Sequence, residues 1–388
     1  MNTILTRLSA ELIRQYEAEG FWGRDTIYSL ARGHAARAPG SFAVRDRFRR
    51  LTYRQLIAAA DALAADLARR GVQAGQRVGV WLPSRIESVV AVLACSKTGA
   101  VCCPSLHRDH TVGEVVELMQ RTRAVAFVWQ EGYGADADKR DFLPELKAVP
   151  SMRHVYRLAP LAASDPAPFA ELVPAGPGDS ETKTDPNTLI YLAFTSGTTG
   201  KPKGVMHSDN TILANARQLA KDWNIASDAA IYALSPLSHN LSFVGAQVIS
   251  LAVGAELVVY DLPRGASLAD RVVETDTSFL VGVPPNAIDL LAEMQRRGLK
   301  GLGRLRGFRI SGSAVPSEVV AGLIRQGIQP QSGYGMTENC SHQYTLPGDD
   351  PKLIIETSGK TCPGYELKIF KADDRDTEAA PDEVGEIG

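Results

Sequence analysis

The chain reads as an α/β protein built on mainly parallel sheets with helices on both faces. Three observations predict this. Helical and strand periodicities alternate along almost the whole chain, an order that implies parallel sheets covered on both sides. The strand runs are short and almost wholly apolar, as strands buried on both faces must be. The length, 388 residues, exceeds the ~250–300 at which one core stops growing, so two or more packed subdomains are expected.

The elements follow in order. Ile4, Leu8 and Leu12 recur at helical spacing and predict an amphipathic N-terminal helix. Arg7, Glu11 and Arg14 interrupt any apolar run there, so no signal peptide is expected. Thr52 and Gln55 form a capping box. Leu56, Ala60, Leu63 and Leu67 then line one helix face that ends at Gly71. A strand over 77–82, a helix over 86–97 and strands over 101–103 and 124–129 come next. Beyond residue 200, helices over 210–222, 241–253, 268–274, 285–297 and 317–326 alternate with strands over 230–234, 256–260, 278–281 and 308–311. The segment 159–186 is rich in Pro, Ala, Ser, Gly and Asp and reads as a connection between two halves. Past His342 the helical pattern fades. Residues 366–370 alternate like an antiparallel strand, 373–382 read as a charged turn, and the last five residues look like the middle of a strand.

Composition excludes several classes. A net charge of −2 gives no electrostatic case for nucleic acid or an anionic membrane. The short basic cluster Arg47, Arg49 and Arg50 reads as a solvated face. The five cysteines show no C-x-x-C, so neither a disulfide framework nor a zinc site is indicated, and a reducing, cytoplasmic compartment is expected. His107 and His110 read as loop residues. The uncharged stretch 241–255 is shorter than the ~18–20 residues of a membrane span, so no integral membrane association is expected.

One segment carries chemistry. Thr195, Ser196, Gly197, Thr198, Thr199, Gly200, Lys201, Pro202, Lys203 and Gly204 combine hydroxyls, glycines and lysines between two apolar runs. Glycines let successive backbone N–H groups approach one anion, hydroxyls add donors and lysines add charge. The segment is suited to wrapping a polyphosphate. It is not a Walker A loop, which needs G-K-[ST] opening a helix; here Pro202 follows Lys201 and the flanks at 189–194 and 204–207 read as strands. A second motif, Tyr334-Gly335-Met336-Thr337-Glu338, follows a predicted strand end. It offers an aromatic face, a close-approach glycine, a hydroxyl donor for an α-phosphate and a carboxylate for Mg²⁺, which binds phosphates through one or two carboxylates plus water.

Together with Ser311-Gly312-Ser313-Ala314-Val315-Pro316 and Gly385-Glu386-Ile387, these motifs resemble the large N-terminal domain of the adenylate-forming superfamily: acyl- and aryl-CoA synthetases, peptide-synthetase adenylation domains and luciferases. The resemblance spans nearly the whole chain. It implies two stacked, mainly parallel helix-covered sheets in five layers, αβαβα, followed by the start of a small β-barrel subdomain. It further implies halves at 1–185 and 186–335, the second holding the phosphate loop, and a β-rich beginning over 336–388. Residues 195–203 would meet the β- and γ-phosphates of ATP. Ser313, Ala314 and Val315, with Gly333, Tyr334 and Gly335, would line the adenine. Thr337 would bind the α-phosphate and Glu338 the magnesium. The family's ribose-binding acid, hinge and C-terminal lysine would lie beyond Gly388, so a truncated or engineered fragment lacking the C-terminal lid is expected, one that makes adenylate slowly.

The implied reaction is attack of a carboxylate on the α-phosphorus of ATP, releasing pyrophosphate, then displacement of AMP by a thiol, usually that of coenzyme A. Two anions must meet, so positioning and charge neutralisation carry the catalysis. By position in that family, the pocket candidates are His239, Asn240, Phe243, Gly282, Val283, Ser311, Gly312, Gly333, Cys340 and Ser341, with His239 also readable as a gate and Phe243 and Cys340 as core residues. None carries a fixed charge, which suits an apolar monocarboxylic acid. The His239-Asn240 pair resembles the aryl-acid ligases that activate dihydroxybenzoate, and the 357–366 segment resembles that branch and the cyclohexanecarboxylate-CoA ligases. A cyclic or aromatic acid is favoured, with a medium-chain fatty acid as the other expectation. Three rivals remain: an adenylation domain loading a carrier protein, a nucleotide-binding module without turnover, and a phosphotransferase that releases ADP.

Overall fold

The computed structural model describes residues 5–163, 167–174, 184–195 and 202–388. Its strands, in chain order, are β1 (Phe42–Arg45), β2 (Arg50–Thr52), β3 (Arg77–Trp81), β4 (Val101–Cys103), β5 (Ala126–Gln130), β6 (His154–Leu158), β7 (Leu189–Thr195), β8 (Lys203–Ser208), β9 (Ala230–Ala233), β10 (Glu256–Val258), β11 (Phe279–Gly282), β12 (Gly307–Ser311), β13 (Gln329–Met336), β14 (Cys340–Tyr344), β15 (Lys360–Thr361), β16 (Ile369–Lys371) and β17 (Gly385–Ile387). They form a six-stranded sheet ordered β6-β5-β3-β4-β7-β8 and a nine-stranded sheet ordered β15-β14-β13-β12-β11-β9-β10-β1-β2. In the first, only the β7–β8 pair is antiparallel. In the second, β1, β10, β9, β11, β12 and β13 run parallel, with antiparallel pairs at both edges.

Because successive side chains of a strand face opposite sides, each sheet feeds two apolar layers. On β5, Ala126 and Val128 join the large central core while Phe127 and Trp129 face outward. That central core also takes Leu56, Leu63, Val89, Leu93, Leu213, Phe243 and Ile249, from helices held between the sheets. Helices Val112–Thr122 and Phe142–Lys147 cover the outer face of the six-stranded sheet. Helices Leu268–Glu274, Pro284–Arg297 and Ser317–Arg325 cover the outer face of the other. The five layers are therefore helix, sheet, helix, sheet, helix, as expected. The two-stranded pair β16–β17 stands apart, and no closed barrel forms among the described residues.

Local sequence explains the helix starts. Thr52 caps helix Tyr53–Arg69, and Gln55 reaches back to the Thr52 N–H at 2.9 Å. Helix Asp209–Asp222 starts the same way at Ser208 and Thr211. The expected helix over 241–253 is irregular: a short turn, then a π-helical Phe243–Val248 running into Ile249–Val253. Helix Pro351–Glu356 lies where helical patterning fades; Asp350 caps it and Pro351 opens it.

Each of the two large sheets takes strands from both sides of residues 185 and 186. Strands β7 and β8, which flank the glycine-rich segment, belong to the six-stranded sheet of the first half. Strands β1 and β2 belong to the nine-stranded sheet of the second, as do β14 and β15 beyond residue 336. Parallel pairing joins strands distant in sequence, so a composition break does not mark a sheet boundary. The basic cluster is also reassigned. Arg49 pairs with Asp46 and Glu87, both at 2.7 Å, and Arg50 pairs with Glu256 at 2.7 Å, so this is an ion-paired seam.

Candidate functional site

The carboxyl ends of both sheets open on one crevice, the place where ligands bind in such folds. From the six-stranded sheet come Ser105 and His107 after β4, and Thr195 at the end of β7. From the nine-stranded sheet come His239 and Asn240 after β9, Val283 after β11, Ser311, Gly312 and Ser313 at the end of β12, and Gly335, Met336 and Thr337 at the end of β13. Two compartments make up the crevice, of about 740 and 560 Å³. His239, Asn240 and Thr337 line both.

The first compartment runs beside the β7–β8 hairpin, at Thr195 and Pro202. Thr195 and Lys203 sit opposite each other in the β7–β8 register, and Lys203 is exposed. Ser196, Gly197, Thr198, Thr199, Gly200 and Lys201 lie outside the described residues. Arg121 Nη2 donates to the Pro202 carbonyl at 3.1 Å and so ties the hairpin to helix Val112–Thr122. His207 on β8 is buried, and its Nε2–H donates to the Thr337 carbonyl at 2.6 Å. The strand that leaves the first motif meets the second, more than a hundred residues away in sequence, at this bond. Burial lowers the His207 pKa, which keeps the ring neutral and a single-proton donor.

The tight turn after β13 depends on Gly335. A Cβ there would lie 1.8 Å from the Cys340 carbonyl oxygen, so only glycine lets β14 fold back so closely. Met336 N–H donates to Asn339 Oδ1 at 3.0 Å and closes the turn. Tyr334 is 36% exposed, with its ring edge-on to His342 at 5.1 Å. Glu338 is exposed and lines a neighbouring hollow of about 330 Å³ with His207 and Tyr365; that hollow and the second compartment both border Cys340. Among the described residues no group of three His, Cys, Asp or Glu side chains could cage a metal. A single exposed carboxylate fits a magnesium that arrives on phosphates, which needs one or two protein carboxylates.

Other expected site residues fall differently. Phe243 is fully buried and stacks on Tyr191 at 4.3 Å, so it backs the pocket wall; the π-helical turn directs it into the core. Val315 packs into the outer core, and Ala314 is exposed beside it. Gly333 is buried within β13. His239 caps the turn Asn240–Ser242, its Nδ1 accepting from the Leu241 N–H at 3.2 Å.

Two features escaped the sequence reading. His107 and His110 are loop residues, as expected, yet both line the first compartment and stack at 5.5 Å. Burial, with His110 and His239 nearby, depresses the His107 pKa to about 4. The second feature is Arg309 on β12, 1% exposed, whose Nη2 donates to the Ser341 hydroxyl at the wall of the second compartment. No Asp, Glu, Lys or Arg lines the second compartment, and Arg309 lies behind its wall, reaching it through Ser341. A lone arginine inside the apolar strand Gly307–Ser311 was the available signal.

Known proteins resemble this chain in sequence and in fold. The chain is 27% identical over 357 residues to the medium-chain fatty-acid–CoA ligase of Escherichia coli, covering 91% of this chain and 63% of that protein. It is 28% identical to the salicyl-AMP ligase / salicyl-S-ArCP synthetase of Mycobacterium tuberculosis, covering 97% of this chain and 67% of that protein. The chain thus spans roughly two thirds of the length of these relatives. The apo structure of Mycobacterium smegmatis MbtA superposes with a TM-score of 0.84 at 27% identity, over 99% of this chain and 70% of that one. Residues 31–388 match the family of AMP-binding enzymes, and the chain belongs to that family.

Proposed function

We propose that the protein activates a carboxylic acid with ATP. The acid's carboxylate oxygen attacks the α-phosphorus, the bond to the β-phosphate oxygen breaks, and acyl-AMP and pyrophosphate result. The observation that carries this reading is the pair of adjoining compartments, one bordered by Thr195 and the other by Ser313, that share His239, Asn240 and Thr337. Residues 195–203 supply backbone N–H groups, hydroxyls and lysines to the β- and γ-phosphates. Thr337 donates to an α-phosphate oxygen, whose charge rises as the carboxylate adds. Tyr334 offers its exposed ring to adenine, and Ser313 and Gly335 border the nucleoside. Glu338 would hold Mg²⁺, which would supply neutralisation of phosphate charge. His239, Asn240 and Cys340 face the acid, a cyclic, aromatic or medium-chain one.

Transfer to the thiol of coenzyme A, with release of AMP, completes the reading; the named activity of the E. coli relative supports it. Loading of a carrier protein is the second reading, supported by the salicyl-S-ArCP relative. The described cysteines are all free and buried, which fits a reducing cytoplasmic setting, and no helix among the described residues is long and apolar enough to cross a membrane. Pyrophosphate–ATP exchange over a panel of acids tests the first step. Acid-dependent exchange supports the proposal, whereas production of ADP contradicts it.

A further inference from the structure

Arg309 is the unusual charge in this molecule. It is 1% exposed, and among the described residues it makes no ion pair. Its Nη1 donates to Gln331 Oε1 at 2.8 Å, its Nη2 donates to the Ser341 hydroxyl, and its Nε–H has no partner. Its other neighbours are uncharged: the Tyr344 ring at 5.9 Å, and the backbones of Gly245 and Gly333, where an added Cβ would lie 3.4 and 3.3 Å from the guanidinium. The nearest carboxylate in this network, Asp222, is engaged by the Tyr344 hydroxyl at 2.8 Å. Burial lowers the Arg309 pKa to about 10, so it stays charged near neutrality.

A buried charge without a counter-ion is strongly unfavourable, which is why buried charges are ordinarily paired. Here the missing partner has a direction. Arg309 and Ser311 lie two residues apart on β12 and so share a face, and Ser311 lines the acyl compartment. Ser341, which accepts from Arg309, lines it too, as does Val244, the neighbour of Gly245. The guanidinium edge formed by Nε and Nη2, the edge that grips a carboxylate in a bidentate pair, is thus the edge left incompletely satisfied next to the pocket wall.

Resting on the adenylation reading above, we propose that the acid carries a second carboxylate, distal to the one that is activated, and that Arg309 with Ser341 selects for it. The distal group completes the ion pair that the protein leaves open. Arg309 is a specificity residue and takes no part in the attack on ATP. An acid without the second carboxylate leaves the guanidinium unpaired.

The test uses matched acids, hexanoate against adipate and benzoate against isophthalate and terephthalate. Binding to the protein is measured by calorimetry with AMP present, and pyrophosphate exchange is measured in parallel. At least one dicarboxylic member is expected to bind roughly 10-fold or more tighter than its monocarboxylic partner. Arg309→Met, a volume-matched apolar change that buried ion sites tolerate, is expected to lower dicarboxylate binding on the order of 100-fold and leave monocarboxylate binding unchanged or tighter. Arg309→Lys retains part of the preference. Equal or better binding of the monocarboxylic acids by the unmodified protein overturns the inference, as does an equal loss of both classes in a folded Arg309→Met protein. If Arg309→Met fails to fold, the ratio in the unmodified protein decides alone. ATP binding without dicarboxylate preference defeats only this inference, whereas failure to bind ATP at all defeats the adenylation reading beneath it.

Discussion

The Nε2–H of His207 donates to the carbonyl oxygen of Thr337 at 2.6 Å, and this bond joins the β7–β8 hairpin to the turn that follows β13. His207 Nδ1 lies 3.2 Å from the Thr211 hydroxyl, which fixes the ring from its other side. Removing the ring by His207→Ala leaves the Thr337 carbonyl without its partner and a gap under the crevice. The expected loss is about 1–3 kcal/mol of stability together with weaker ATP binding. Thermal unfolding and a nucleotide titration check both, and unchanged ATP affinity would separate the bond from the site.

Thr337 borders both compartments, so its hydroxyl is the natural donor to a developing charge between them. Thr337→Val keeps the shape and removes the donor. Pyrophosphate exchange should fall roughly 10²–10³-fold with little change in melting temperature, since the residue is half-exposed.

Gly335→Ala would place a methyl group 1.8 Å from the Cys340 carbonyl oxygen. The β13–β14 turn must open to relieve it, at an expected cost of about 1–3 kcal/mol and with weaker nucleotide binding. Gly40→Ala is the control, because a Cβ there meets nothing within 4 Å, and its stability should stay within about 0.5 kcal/mol. Denaturant titration of the two variants distinguishes these outcomes.

His107 titrates near 4 when folded, against an ordinary 6.5, because burial penalises its charged form. As pH falls from 6.5 toward 4, the unfolded chain binds this proton first, so the contribution of His107 to stability declines across that window. Asp209 opposes it: burial lifts its pKa from 3.8 to about 7, so its share falls as pH rises between those values. The contribution of His107 is therefore read as a difference. The stability of His107→Gln minus that of the unmodified protein should increase as pH drops from 6.5 to 4, and a flat difference contradicts the assignment.

Much of this was legible in the sequence, for identifiable reasons. Thr52 and Gln55 predicted a helix start because capping is a local interaction, and helix Leu268–Glu274 fell at its expected ends. Strands β7 and β8 followed from apolar runs around a glycine-rich loop. Sheet membership was not legible, because parallel partners such as β1 and β10 are about two hundred residues apart. Phe243 was a pocket candidate by position in the family and a core residue by its chemistry, and the folded chain seats it in the core at the start of the π-helical turn. His207 and Arg309 were invisible as site residues because their roles depend on the partners Thr337 and Ser341, which only the folded chain supplies.

The most direct measurement is a crystal structure of the protein with a non-hydrolysable ATP analogue and Mg²⁺. The account predicts adenine against Tyr334, the α-phosphate at the Thr337 hydroxyl and the terminal phosphates inside residues 195–203. A nucleotide bound elsewhere, or phosphates out of reach of both Thr337 and the hairpin, would contradict it.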